Sequence, residues 1–182
     1  MERPSGMVIE TERLLLRQHR FSDFDAWCAM FSDPIVLRFV GAQPISREDM
    51  WNRLLRYTGH WTLFGSGIFA IIDKRTGALL GETGFADFHR GLGPTFDPAP
   101  EAAWALVSAA HGKGYAKEAA AAAHAWFDQR FAPPRTVCII NPDNTASLAL
   151  ASQLGYRPFG DAQYRNGTVR MFERFTGLPT SL

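Results

Sequence analysis

One strand-to-helix junction constrains the fold of this chain more than any other feature. The apolar stretch Glu101–Val107 reads as a strand, the hexapeptide His111-Gly112-Lys113-Gly114-Tyr115-Ala116 follows it, and a helix runs on to about Arg130. That helix holds an unbroken alanine run from Ala119 to Ala123, which favours helix and lets it lie close on a sheet. Two glycines in such a turn let successive backbone N–H groups point at one spot with no Cβ in the way. The helix start adds unpaired amide donors and the positive end of its dipole. Together they form a site for a diphosphate or another anion. Because the strand opens with Glu101, a candidate base lies beside the anion cradle. The combination points to a group-transfer enzyme that uses a phosphate-bearing cofactor.

The rest of the chain supplies a sheet for this junction. Residues Met1–Val8 read as a loose leader and Thr11–Arg17 as the first strand. Ser22 or Asp23 is placed to cap a helix carrying Phe24, Trp27, Met30 and Phe31 inward, which Asp33-Pro34 ends or interrupts. Ser46 to Asp49 resembles a capping box, and Met50, Leu54, Tyr57 and Trp61 follow at helical spacing, so a second helix is expected from about Arg47 to Gly59. Gly67–Ile72 and Ala78–Phe85 form a hairpin, and the Gly- and Pro-rich stretch Gly91–Pro100 is a loop long enough to border a site. Beyond the alanine-rich helix come a strand at Arg135–Ile140, a short helix from Asn144 to about Leu154 with Gly155 at its C′ position, and strands near Tyr156–Tyr164 and Thr168–Phe175. Asn166-Gly167 is the turn signal between the last two. This order predicts an α/β (α+β) chain with a single mixed sheet of about seven strands and helices on both faces.

Composition narrows the function classes. A chain of 182 residues suits one well-filled core, so residues 1–182 are expected to form a single domain. Its 46% apolar and 20% charged content is that of a soluble globular protein. A formal net charge of +1 argues against a dedicated nucleic-acid binder. Cys28 and Cys138 are far apart and match no metal or redox spacing, so buried free thiols are expected and a metal is not. No membrane-span-length apolar run and no signal-peptide core appear, which gives the expectation of a cytoplasmic protein without a membrane partner.

The glycine turn does not match the common nucleotide motifs. Gly112-Lys113 is followed by Gly114 and lacks the upstream glycine of a P-loop. The dinucleotide fingerprint fails because Lys117 stands where the third small residue belongs, and the turn follows a late strand. By itself Gly112-Lys113-Gly114 is equally a plain tight turn; its place between strand and helix favours the functional reading. Asn144 and Ser147 read both as a helix cap and as side chains facing a ligand where the preceding strand ends, and spacing does not separate the two.

Taken in order, these segments resemble the GNAT superfamily of acetyl-CoA-dependent N-acetyltransferases, in particular the branch of ribosomal-protein alanine and serine N-terminal acetyltransferases. The resemblance rests on Thr11–Arg17, Ser32-Asp33-Pro34, Glu101–Ala120 and Asn144–Ser147 leading to Leu154-Gly155-Tyr156. In the superfamily's pyrophosphate motif the places of Gln or Arg, Gly, and Gly or Ala fall on His111, Gly114 and Ala116, so His111 departs from the usual type. The resemblance implies a mostly antiparallel sheet with a V-shaped opening between the fourth and fifth strands, Glu101–Val107 and Arg135–Ile140. It implies that coenzyme A pantetheine lines the strand edge at Leu106 and Val107, that its diphosphate sits on the amides of His111, Gly112, Lys113, Gly114, Tyr115 and Ala116, and that Asn144 and Ser147 contact the donor.

The expected reaction is direct transfer of acetyl to an amine, and the resemblance makes Glu101 the base and Ser147 the hydrogen donor to the departing thiolate. Glu82 is the less favoured base. The tyrosine that many superfamily members carry seven residues after the asparagine is Ala151 here. His124, in mid-helix, reads as packed or solvated, and His89 lies near the Gly91–Pro100 loop where an acceptor would enter. Trp51, Trp61, Phe85 and Phe88 read as core aromatics that also suit an acceptor pocket. The acceptor is left open between a peptide N-terminus and a small-molecule amine or antibiotic. A noncatalytic acyl-CoA-binding module is the alternative class, and the expected state is a monomer or homodimer.

Overall fold

The computed structural model describes residues 7–40, 43–165 and 167–177. The sheet begins before the expected first strand, and the first residues of that strand, Thr11 to Arg13, are a turn. β1 (Val8–Glu10) and β2 (Leu14–Gln18) pair antiparallel around a turn in which the Thr11 N–H meets the Leu14 carbonyl at 2.9 Å and the Thr11 Oγ1 accepts the Leu14 N–H at 3.0 Å. Val8, assigned to the leader, is therefore in the sheet; residues 1–6 lie outside the described residues.

The next segment departs from expectation as well. α1 (Phe24–Met30) buries Phe24, Trp27 and Met30 as its spacing requires, and a further helix, α2 (Pro34–Val40), follows it. Pro34 is the first residue of α2, where a missing N–H costs nothing, and the Asp33 carboxylate accepts the Ile35 N–H at 2.9 Å. α3 (Arg47–Phe64) begins at the expected residue, with the Ser46 hydroxyl accepting the Asp49 N–H, and continues past Gly59 to Gly65 in the left-handed conformation.

β3 (Ile68–Asp73), β4 (Leu79–Ala86), β5 (Glu101–Leu106), α4 (Tyr115–Phe131), β6 (Arg135–Ile140), α5 (Thr145–Gln153), β7 (Arg157–Tyr164) and β8 (Gly167–Phe175) complete the chain. The sheet has eight strands rather than about seven, in the order β1-β2-β3-β4-β5-β6-β8-β7. Every neighbouring pair is antiparallel except β5 and β6. The β7–β8 turn expected at Asn166-Gly167 falls partly outside the described residues, since Asn166 is not among them.

Helices cover both faces. Trp27, Met50, Leu54 and Tyr57 from α1 and α3 pack with Ile68, Ala86 and the odd-numbered residues Ala103, Ala105 and Val107 of the β5 segment. On the other face Ala119 and Ala123 of α4, both 0% exposed, pack with Leu14, Leu16, Phe69, Ile71 and Leu106. A helix faced with methyl groups sits close on the strands, which brings the start of α4 to the end of β5. Cys28 and Cys138 are buried and free.

His124 belongs to that packed face. Its Nδ1 lies 2.7 Å from the Ala120 carbonyl and its Nε2 3.1 Å from the Tyr156 hydroxyl, which lies 2.9 Å from the Thr136 hydroxyl. A carbonyl can only accept, so Nδ1 carries the proton and the chain of donation runs from Thr136 through Tyr156 to Nε2. Burial pushes His124 down to about 4, against about 6.5 in an unfolded chain. Between those values the unfolded chain binds the extra proton, so the folded state loses ~3 kcal/mol as pH falls through that window. His19, buried without a hydrogen bond to either ring nitrogen, is shifted in the same direction by burial. The thermal midpoint should fall between pH 6.5 and 4, and less in a His124→Gln variant followed by circular dichroism.

Candidate active site

β5 and β6 meet and then part. Their register holds a single pair, Glu101 with Val137, beside a bond from the Val137 N–H to the Pro100 carbonyl at 3.0 Å. Beyond it β5 keeps β4 through Leu106, and β6 keeps β8 through Ile140. The V-shaped opening therefore lies between the two expected strands, now numbered β5 and β6. Strand alternation decides which groups face it. The Val107 N–H reaches the Leu80 carbonyl at 2.9 Å and the Ala103 carbonyl accepts the Thr83 hydroxyl, so odd residues bond toward β4. Trp104 and Leu106 thus turn their peptide groups to the gap, where an extended chain can add as a strand. Val107 has both its peptide groups engaged, its carbonyl taking the Ala110 N–H. Trp104 is an edge residue that the sequence reading overlooked, although counting by twos from Glu101 would have separated it from Val107.

At the end of β5 the chain makes one 3₁₀ turn, Ser108–Ala110, and enters the hexapeptide. Gly112 and Gly114 hold φ of 71° and 78°. Gly114 is the N-cap of α4 and provides no side-chain cap; the first helical bond joins the Glu118 N–H to the Gly114 carbonyl. The amides of Gly112 to Lys117 have no protein acceptor among the described residues, whereas the His111 N–H bonds the Ser108 carbonyl. The His111 ring folds back, its Nε2 3.0 Å from the Leu106 carbonyl. His111 therefore ties the turn to the strand end, and the glycine-flanked amides after it are the candidate cradle.

Arg13, distant in sequence, braces the cradle from behind. Its Nη1 donates to the Lys113 carbonyl at 2.9 Å, its Nε to Glu118 at 2.7 Å, and its guanidinium lies 4.4 Å from the Tyr115 ring centre. Glu118 also accepts the Thr11 hydroxyl and the Arg13 N–H. Turning the Lys113 carbonyl toward Arg13 leaves the Gly114 N–H of the same peptide pointing the other way. That arrangement suits a diphosphate.

The two carboxylates are both buried on the α1–α3 face. Glu101, 3% exposed, lies where β5 and β6 part, and its carboxyl is pushed up by burial against the opposing pull of Arg90. Glu82, 2% exposed, accepts from the Trp27 Nε1 at 2.7 Å, the Arg53 Nη2 at 2.6 Å and the Tyr57 hydroxyl at 3.3 Å. Three side chains of α1 and α3 are thereby pinned to β4, which is a structural duty.

On the other face Asn144 caps α5, its Oδ1 accepting the Ser147 N–H at 3.1 Å. The Ser147 Oγ accepts the Trp104 Nε1–H at 3.1 Å. Indole only donates, so the serine keeps its own proton for another acceptor. The capping reading holds for Asn144, and the Ser147 side chain faces Trp104 of β5. Among the aromatics, Trp61 and Phe85 are buried core and Trp51 meets Phe21 and Phe24 edge-on. Phe88 packs against Arg90, and the His89 ring is exposed beside Asp87. No described helix is long and apolar enough to cross a membrane.

Comparison with known proteins agrees with this geometry. Residues 13–157 match the model of the acetyltransferase (GNAT) domain. A solved structure described as a GnaT-family acetyltransferase from Bordetella pertussis is 34% identical, with a TM-score of 0.83 over 93% of this chain and 99% of its own. An uncharacterized N-acetyltransferase, p20, of Bacillus licheniformis is 26% identical over 93% of this chain and 89% of its own. A ribosomal L7/L12 alpha-N-protein acetyltransferase in complex with coenzyme A shares the fold at 18% identity, with a TM-score of 0.76 over 93% of this chain and 98% of its own. With an amide cradle, an open strand edge and a family match across most of its length, the chain belongs to the GNAT acetyltransferases and is an acyltransferase whose donor is acetyl-CoA.

Proposed function

We propose that the enzyme acetylates the α-amine at the N-terminus of a protein or peptide by direct attack on the acetyl-CoA thioester. One observation carries the direct transfer. Glu101 shares strand parity with Ala103 and Ala105, which face α1 and α3, while the Trp104–Ser147 pair lies on the α5 face, which supports a base and a hydrogen donor acting from opposite sides of one gap. An amine nitrogen attacking from the Glu101 side forms the C–N bond as the C–S bond breaks toward Ser147. Glu101 takes the amine proton, directly or through one water, and the Ser147 hydroxyl donates to the departing sulfur. Holding both reactants in the gap removes much of the entropic cost of their encounter.

A protein N-terminus is supported by the shared fold with the ribosomal L7/L12 alpha-N-protein acetyltransferase. Thiol release from acetyl-CoA, measured with peptides bearing Ala or Ser N-termini beside polyamines and aminoglycosides, tests it. Peptides should exceed the small amines in kcat/KM by about tenfold or more, a difference of ~1.4 kcal/mol in transition-state binding. Preference for any small amine would refute the peptide acceptor and leave the transferase intact.

Ser147 gives a separate prediction. Ser147→Ala should lower kcat roughly a hundredfold while the donor KM changes little, because the lost interaction forms mainly as the thiolate leaves. The α5 cap uses the Asn144 side chain and the Ser147 backbone, so the folded state should persist by circular dichroism. Unchanged kcat would remove Ser147 from the reaction.

A further inference from the structure

Glu101 does not stand alone at the parting of the strands. Both its oxygens take the Arg90 Nε–H, at 2.9 and 2.6 Å, and the Arg90 Nη1 donates to the Tyr164 hydroxyl at 2.8 Å. The guanidinium is held between two rings, 4.5 Å from the centre of Phe88 and 4.9 Å from that of Tyr164. Three parts of the fold converge here: the segment after β4 supplies Phe88 and Arg90, β5 supplies Glu101, and β7 supplies Tyr164. The side chains of Arg90 and Glu101 are 16% and 4% exposed, so the pair is shielded from the screening that makes surface ion pairs weak.

The other groups around Glu101 work against its charge. Asp97 in the loop before β5 and Asp87 after β4 are acidic, and burial also favours the neutral carboxyl. Cys138 on β6 is a thiol that burial keeps protonated. Arg90 is the cation that opposes them among the described residues. A buried carboxylate stripped of such a partner takes up a proton, and a protonated carboxyl cannot serve as a base.

We propose that Arg90 is a positioning residue of acetyl transfer, keeping the Glu101 carboxylate ionised and directed where β5 and β6 part, while Phe88 and Tyr164 hold the guanidinium in place. This rests on the reading of Glu101 as the base. The guanidinium contacts Glu101 through a single N–H, and the carboxylate keeps lone pairs to accept from a water or an amine.

The test pairs the pH dependence of kcat/KM with a 13C NMR titration of the Glu101 carboxyl in the substrate-free protein, the resonance being assigned with Glu101→Gln. In Arg90→Met both the acid limb and the carboxyl midpoint should move up by about 1–3 pH units. Activity should fall on the acid side of the shifted limb and recover toward the alkaline plateau, the ionised fraction dropping about tenfold for each pH unit below the midpoint. Arg90→Lys should restore part of both shifts. An acid limb and midpoint that superimpose on wild type, or a loss of activity uniform in pH, would overturn the proposal. Should Arg90→Met fail to fold, Arg90→Lys and Tyr164→Phe must move both readouts upward by smaller amounts, and unmoved readouts in them overturn it equally. If Glu101→Gln turns over like wild type, the base assignment fails and the positioning role with it. The NMR midpoint, which needs no turnover, shows separately whether Arg90 controls the charge.

Discussion

Glu101→Gln should lower kcat about a hundredfold to ten-thousandfold, the range that general bases supply, with the donor KM close to wild type. The argument is positional. Glu101 sits at the closed end of the β5–β6 gap, on the α1–α3 face, whereas the amides of Gly112 to Lys117 lie beyond the other end of β5. Gln keeps the shape and one oxygen for the Arg90 Nε–H, so the variant removes the basic oxygen and leaves the donor site alone. It also leaves the Arg90 charge without its counter-ion, and a fall in thermal midpoint is expected beside the kinetic loss. The two effects separate in their pH behaviour: an amide has no acid limb to recover, so raising the pH restores nothing beyond the direct deprotonation of the amine. Single-turnover acetylation at saturating donor is the deciding measurement, and turnover within about threefold of wild type, less than 1 kcal/mol in barrier, would exclude Glu101 as the base. Glu82→Gln provides the contrast. Its carboxylate is held by Trp27, Arg53 and Tyr57, so its loss should appear in stability first.

The parts of this molecule that were legible from sequence are those written in local chemistry. Gly112 and Gly114 marked the turn because only a residue without Cβ adopts a positive φ at low cost, and both do. The alanine run marked α4 and its closeness to the sheet. Where local chemistry was ambiguous, the reading slipped. Asp33-Pro34 reads as ending or interrupting α1, which it does, but the second helix that starts there is not legible, because proline suits the first turn of a helix as well as the end of one. The β1–β2 turn carries neither glycine nor proline, so Thr11 to Arg13 read as strand. Arg13 and Arg90 were out of reach for another reason. Arg13 meets Lys113 across 100 positions and Arg90 meets Tyr164 across 74, and no periodicity within one element reports such a pairing. Glu101 and Ser147 could be nominated by resemblance, but the partners that direct them, Arg90 and Trp104, are set by the tertiary fold.

Gly114→Val should raise the acetyl-CoA KM roughly tenfold to a hundredfold and leave kcat at saturating donor nearly unchanged. Gly114 holds φ of 78° as the N-cap of α4, and a β-branched residue there carries ~1–3 kcal/mol of backbone strain. A Cβ at this position would stand 3.4 Å from the Arg13 Nη2, an ordinary contact, so the strain lies in the backbone. Relief of that strain turns the amides around Gly114 away from their present directions. Because those amides gain from the diphosphate in the ground state and in the transition state alike, their loss falls on binding rather than on the chemical step. Gly112→Ala is the milder control: its φ is 71°, but the added Cβ meets nothing within 4 Å, so a smaller rise in KM is expected. The decisive comparison uses a donor that lacks the diphosphate, S-acetylpantetheine. If the cradle binds diphosphate, Gly114→Val should cost nothing with the truncated donor, and wild type and variant should process it alike. An equal loss with both donors would mean that Gly114 shapes the gap or the start of α4 rather than an anion site.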